Sequence, residues 1–109
     1  MNFNEYQAIS KKTAVYPDIG NNLIYVVLGL CGEVGEVAEK VKKNIRDHGG
    51  VFDAQRKGEL VKEVGDVLWY ISQIAAELGV PLEDVVQANI EKLESRKQRN
   101  TLHGGGDNR

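Results

Sequence analysis

Four carboxylates stand out by their spacing. Glu33 and Glu36 flank Val34-Gly35, and Glu63 and Asp66 flank Val64-Gly65, so one acidic-Val-Gly-acidic pattern occurs twice in the chain. In a helix, residues three apart lie on one face about a turn from each other, and each pair can direct two carboxylates at a single point. Four ionised carboxylates meeting in a partly buried site would raise one another's pKa values and oppose folding unless a divalent cation neutralised them. An oxygen-only donor set suits Mg²⁺, with Mn²⁺ as a substitute, and does not suit zinc. Gly32, Gly35 and Gly65 sit beside the acids, although glycine costs a helix interior about 1 kcal/mol relative to alanine. Their presence points to close helix approach or to room for a metal and its waters.

The elements that must carry these residues are helical throughout, because no alternating apolar run flanked by turn residues marks a strand. The first helix is expected over about Asn4 to Val15, stopping before Pro17. A second runs from about Asn22 to Arg46, with Leu23, Val27, Leu30, Val34, Val37 and Val41 on one line and Ile24, Leu28, Cys31, Ala38 and Ile45 on the next. His48-Gly49-Gly50 ends it. The third covers about Ala54 to Leu78, and the fourth, after Gly79 and Pro81, runs from Leu82 to about Arg99. A connection of roughly seven residues makes the second and third helices antiparallel neighbours. Measured from that connection, the first acidic pair lies ~19 Å deep and the second ~14 Å, a mismatch of ~5 Å, which is one turn. The four acids are therefore expected to meet between the two helices. The fold class is all-α and four-helix-bundle-like: one helical domain over residues 1–103, with the polar, glycine-rich segment 104–109 as a flexible tail or a strap.

Complementary charge is available on the fourth helix. Asn89, Lys92 and Arg96 are spaced i, i+3, i+7 beside its apolar stripe, where they can hold phosphate oxygens or simply compensate the helix dipole. Tyr70 lies one turn beyond Asp66 and either hydrogen-bonds a ligand or fills core space. Trp69, Tyr6, Tyr16 and Phe3 read as core or interface residues, Glu39 and Glu59 as solvated, and His48 as a loop residue without a ligand partner. Cys31, the one cysteine, reads as a buried small hydrophobe, with no disulfide and no redox role.

Composition sets outer limits. A net charge of −2 lacks the basic surplus of a general nucleic-acid binder. The longest apolar run, Leu23 to Cys31, is too short to span a bilayer and no secretory leader is evident, so a cytoplasmic location is the expectation. A ferritin-like di-iron site would need a histidine three residues after a glutamate, and neither His48 nor His103 satisfies this.

The chain resembles the MazG-like all-alpha nucleotide pyrophosphohydrolases, whose mark is E-x-x-E followed, one to three dozen residues later, by E-x-x-D. The resemblance is carried by Leu28-Gly29-Leu30-Cys31-Gly32-Glu33-Val34-Gly35-Glu36, by Glu63-Val64-Gly65-Asp66-Val67-Leu68-Trp69-Tyr70, by Asn89-Ile90-Glu91-Lys92-Leu93, and by the Gly-Asp-Asn-Arg ending. It implies hydrolysis of a nucleoside triphosphate between the α and β phosphates, giving a monophosphate and pyrophosphate. It further implies Glu33, Glu36, Glu63 and Asp66 as ligands of Mg²⁺ and Glu36 as the group that orients or deprotonates the attacking water. By the same resemblance Asn89, Lys92 and Arg96 contact phosphates or sugar, Tyr70 lies near the ligand, and first-helix residues help form the base pocket. Two alternatives stay open: a phosphoribosyl-ATP pyrophosphohydrolase, and a helical module that binds metal or nucleotide without turnover. The stretch Tyr25 to Cys31 is apolar nearly all round, more than one small bundle can cover, which predicts a homo-oligomer; relatives form dimers or tetramers.

Overall fold

The computed structural model describes residues 1–109 as four helices and no strand: α1 (Phe3–Lys11), α2 (Leu23–His48), α3 (Ala54–Glu77) and α4 (Leu82–Gln98). The side chains of Asn2, Asn22 and Asp53 each accept a hydrogen bond from a backbone N–H in the first turn of the helix they precede, which satisfies one of the donors that a helix start leaves open. Gly49 and Gly50 end α2 at φ 63° and 76°, a left-handed turn that a glycine enters without steric cost. α2 and α3 then run back antiparallel as the main packed pair, about 39 Å and 36 Å long at 1.5 Å per residue.

α1 ends four residues earlier than its apolar pattern suggests. The N–H groups of Lys12, Thr13 and Ala14 donate to the carbonyls three residues back, a tightening that winds the helix down before Pro17. Its polar residues then do most of the joining. Ser10 Oγ donates to the Gln7 carbonyl, lies 2.8 Å from Ser72 Oγ and accepts from Gln73 Nε2 at 2.9 Å, all within the buried seam between α1 and α3. Trp69 Nε1 donates to the Ser10 carbonyl and to Thr13 Oγ1. α4 begins at Pro81, which offers no cap of its own. Its first N–H groups, of Leu82 and Glu83, donate instead to Gln7 Oε1 and Asn4 Oδ1, so α1 caps α4 from a distance and Leu82 is buried beneath them.

One carboxylate organises the α1–α2 connection. Glu77 accepts from Tyr16 Oη and from the backbone N–H groups of Gly20 and Asn22, and Tyr16 stacks on Tyr25 with ring centroids 5.2 Å apart.

The expected all-α class is present, but the helices do not close around one interior within a single chain. α4 packs on α1 and α3 and does not approach α2. The radius of gyration is 16.8 Å, where a compact chain of this length has roughly 13 Å, and only nine residues are buried. Much of the double apolar line expected to face inward on α2 is exposed, with Ile24 at 75% and Leu28 at 67%. Cys31 is exposed as well, against the expectation of a buried thiol, because α2 has one helical neighbour and a stripe this wide extends past it. No helix is long and apolar enough to cross a membrane.

Candidate metal centre

Antiparallel pairing of α2 and α3 sets residues on the two helices at matching depths from the Gly49-Gly50 turn. At one such depth Glu33 of α2 meets Glu63 and Asp66 of α3, and a carboxylate oxygen from each lies within 4.8 Å of the others. Glu33 and Glu63 are half-buried and Asp66 is exposed. Burial first, then the charges of Asp66, Glu63 and Glu36, push the Glu33 carboxyl above its ordinary value. Like charges close by favour the protonated carboxyl in the same direction as burial does. Glu36, a turn further along α2, does not join this group and stands exposed. The cation that meets the cluster is Lys40, whose Nζ lies 3.5 Å from Glu63 Oε1; no motif in the sequence singles it out.

Two tyrosines flank the acids. Burial and the charge of Asp66 raise the Tyr6 phenol, while burial, Tyr25, Glu33 and Asp66 raise that of Tyr70. Tyr70 crosses edge-on to Trp69 with centroids 5.0 Å apart and comes close to α2 at Gly29. A Cβ at Gly29 would stand 2.1 Å from Tyr70 Cε1. Gly29 is thus the glycine that permits close approach, while nothing lies within 4 Å of the Cβ position of Gly32, Gly35 or Gly65, so within one chain those three leave open space beside the acids. Tyr6 also lines, with Met1, Phe3 and Leu68, a largely apolar recess of about 240 Å³.

The fourth-helix residues lie elsewhere. Asn89 and Lys92 are exposed along a groove that starts at Val80. Arg96 is 4% exposed, and its Nη2 donates to the backbone carbonyl of Asp107 at 2.7 Å and reaches Asp107 Oδ1 at 3.4 Å. Lys92 Nζ lies 3.6 Å from the same carboxylate, and Asp107 is held below the ordinary carboxyl value by Arg96 and then Lys92. The chain's own tail therefore supplies an anion to the two cations. Arg109 secures that tail through bonds to the Thr101, Leu102 and Gly106 carbonyls.

The donor set at the acidic cluster is all carboxylate oxygen, which fits a hard divalent cation held by Glu33, Glu63 and Asp66. The profile of the MazG nucleotide pyrophosphohydrolase domain matches residues 22–100, a span that contains all four acids and α2, α3 and α4. The chain belongs to the MazG nucleotide pyrophosphohydrolase domain family. Among its relatives, the Gene 37 protein of Mycobacterium phage L5 is 46% identical over the full length of both chains. The Uncharacterized protein YvdC of Bacillus subtilis (strain 168) is 39% identical over 72 residues, 62% of this chain and 68% of that one. No solved structure matches the chain. The MazG domain match begins just before α2, so α1, with Tyr6, lies outside the matched span, while Leu68 of the same recess lies within it.

Proposed function

We propose that this MazG-family chain is a Mg²⁺-dependent nucleoside triphosphate pyrophosphohydrolase that releases a nucleoside monophosphate and pyrophosphate. The observation that carries the reading is the convergence of Glu33, Glu63 and Asp66 within 4.8 Å across two helices, in a chain whose family is named for this activity. Glu33, Glu63 and Asp66 would hold the cation, and Glu36, a turn further along α2, would stand beside it. A bound divalent cation would neutralise the phosphate chain and lower the pKa of a coordinated water. Glu36, free of the cluster, accepts the proton of the water whose oxygen attacks the α-phosphorus. The bond from the α-phosphorus to the bridging oxygen breaks, and pyrophosphate leaves with the electron pair. Tyr70, pinned by Gly29, walls the site, and Phe3 and Tyr6 offer ring faces to the base beside Leu68.

The working form is a homo-oligomer. Ile24, Leu28, Val34, Val61 and Val64 form apolar faces of α2 and α3 with half or more of each side chain exposed, and a second copy is the simplest cover for them. Within one chain Lys92 and Arg96 pair with Asp107 and not with the acids, and Asn89, Lys92 and Arg96 of one copy serve the site of another. Release of pyrophosphate from a panel of canonical and modified nucleotides and phosphoribosyl-ATP, with Mg²⁺ or Mn²⁺, tests the reading. Pyrophosphate from at least one nucleoside triphosphate is expected. Turnover of phosphoribosyl-ATP alone, or of nothing, would overturn it.

A further inference from the structure

Lys40 stands seven residues after Glu33 on α2, two turns along the same helical face. Glu36 lies four residues before it, and a glutamate four residues ahead of a lysine is the favoured arrangement for an ion pair within one helix. The ammonium does not take that partner. It crosses to α3, where Nζ lies 3.5 Å from Glu63 Oε1, with the two side chains 38% and 18% exposed. The other ion pairs of the chain lie away from the four acids, at Glu39, Asp47, Asp53 and Asp107. Lys40 is thus the one cation paired with the cluster of Glu33, Glu63 and Asp66.

The choice between the two partners follows from charge. Glu36 offers a single exposed carboxylate, whereas Glu63 lies among three whose oxygens come within 4.8 Å of one another, so their summed field draws the ammonium across the helix pair. Carboxylates crowded in this way repel unless a cation stands among them, and Lys40 supplies one from the chain itself. Glu63 does not hold two cations equally well. With metal–oxygen bonds of about 2 Å, a divalent ion on the Glu63 oxygen would stand within about 6 Å of the ammonium. A double and a single charge at that distance repel by about a tenfold change in binding, even at the dielectric of water. An ammonium that swings away escapes the repulsion but loses Glu63, so Lys40 opposes the ion either way.

We propose that Lys40 is a built-in counter-cation of the metal centre, one that holds the acids together and that a divalent ion must displace from Glu63. This rests on the reading that Glu33, Glu63 and Asp66 hold such an ion. Lys40 is a positioning residue: it acts through Glu63 and sets how tightly metal binds. Loss of its charge has opposite effects with and without metal. The metal-free fold is destabilised, because the acids lose their partner, and metal binding is tightened, because the competitor is gone.

Titration of the full chain with Mn²⁺, the free ion read by electron paramagnetic resonance at fixed ionic strength, tests this together with thermal melts in EDTA. Lys40→Gln is expected to bind Mn²⁺ roughly three- to tenfold more tightly than wild type and to melt lower in EDTA. Lys40→Arg keeps the charge and should match wild type in both. Lys43→Gln removes an equal charge from an exposed pair with Glu39 and should change Mn²⁺ affinity less. Added KCl should narrow the gap between Lys40→Gln and wild type, because salt screens the repulsion. Suppose Asp66→Asn weakens Mn²⁺ binding while Lys40→Gln leaves it unchanged or weaker: the proposal would be overturned and the metal reading would stand. Equal tightening by Lys43→Gln, or a Lys40→Gln melt in EDTA no lower than wild type, would overturn it as well. No Mn²⁺ binding by wild type, or binding that Asp66→Asn leaves intact, would overturn both.

Discussion

The ring of Tyr70 lies against the backbone at Gly29 so closely that a Cβ there would meet Cε1 at 2.1 Å. Gly29→Ala must therefore move the ring. Overpacking of this kind costs about 1–3 kcal/mol, against about 1 kcal/mol gained from alanine's better helix propensity. The expected result is a lower Tm together with a fall in turnover, since Tyr70 walls the proposed site. Thermal melts and steady-state kinetics check both. Gly58→Ala, with no atom within 4 Å of the new Cβ, should raise Tm slightly and serves as the control.

Glu36→Gln and Asp66→Asn should each abolish turnover while leaving the chain folded. Without divalent metal the acids repel, so neutralising one should raise Tm slightly, and an isosteric amide leaves no cavity to mask the gain. With Mg²⁺ the order should reverse, because the wild type binds metal more tightly in its native state and gains stability from that binding. Melts in EDTA and in millimolar Mg²⁺ should therefore cross. Variants destabilised in EDTA would mark these acids as structural.

Glu77 gives a pH dependence of definite sign. Its hydrogen bond from Tyr16, followed by those from Gly20 and Asn22, holds the carboxyl below the ordinary value of 4.5. The folded state thus binds the proton less readily than the unfolded chain. Its contribution to stability is complete above 4.5 and disappears as pH falls through the depressed folded value. The Tm gap between wild type and Glu77→Gln should be widest near neutrality and should shrink under acid. A gap that grows on acidification would contradict this role.

Asp107→Asn and Arg96→Ala should differ in size. Asp107 is 86% exposed and its backbone carbonyl, which accepts from Arg96, survives the change, so the asparagine variant should lose no more than about 1 kcal/mol. Arg96 is buried to its stem, and truncation should cost about 1–2 kcal/mol in lost packing and tail attachment. Because the tail carboxylate competes with substrate phosphates for Lys92 and Arg96 in the proposed site, Asp107→Asn should also lower KM for a triphosphate. An unchanged or raised KM would separate these cations from substrate.

If the α4 cations of one copy serve the acids of another, coexpressed Asp66→Asn and Lys92→Glu chains should regain turnover that neither has alone. Light scattering should give a particle larger than 12.1 kDa, and Ile24→Glu with Leu28→Glu should shrink it. A monodisperse monomer would refute the assembly.

What the sequence discloses and what it hides follow from the range of the interactions. Asn22 and Asp53 cap locally, and Gly49-Gly50 is a local turn, so α2, α3 and α4 were legible to within two residues. Matched i, i+3 acids on adjacent helices were enough to bring Glu33, Glu63 and Asp66 together. Glu36, spaced from Glu33 as Asp66 is from Glu63, stays outside that group, a difference that the i, i+3 pattern does not encode. Contacts distant in sequence were opaque: Asn4 and Gln7 capping α4, Ser10 joining Ser72 and Gln73, and Asp107 on Arg96. Gly29 carried a usable signal, a glycine inside an apolar helical run, which is costly unless another group needs the space. Cys31 misled because periodicity reports that a stripe is apolar without reporting which chain covers it.

The bond that breaks is the most direct test. Purified protein, free of contaminating pyrophosphatase, is given a nucleoside triphosphate and Mg²⁺ in heavy-oxygen water, and the products are read by mass spectrometry. Attack at the α-phosphorus predicts heavy oxygen in the nucleoside monophosphate, none in the pyrophosphate, and loss of both products in Asp66→Asn. Orthophosphate as the only phosphate released, or heavy oxygen in the pyrophosphate with an unlabelled monophosphate, would contradict the account.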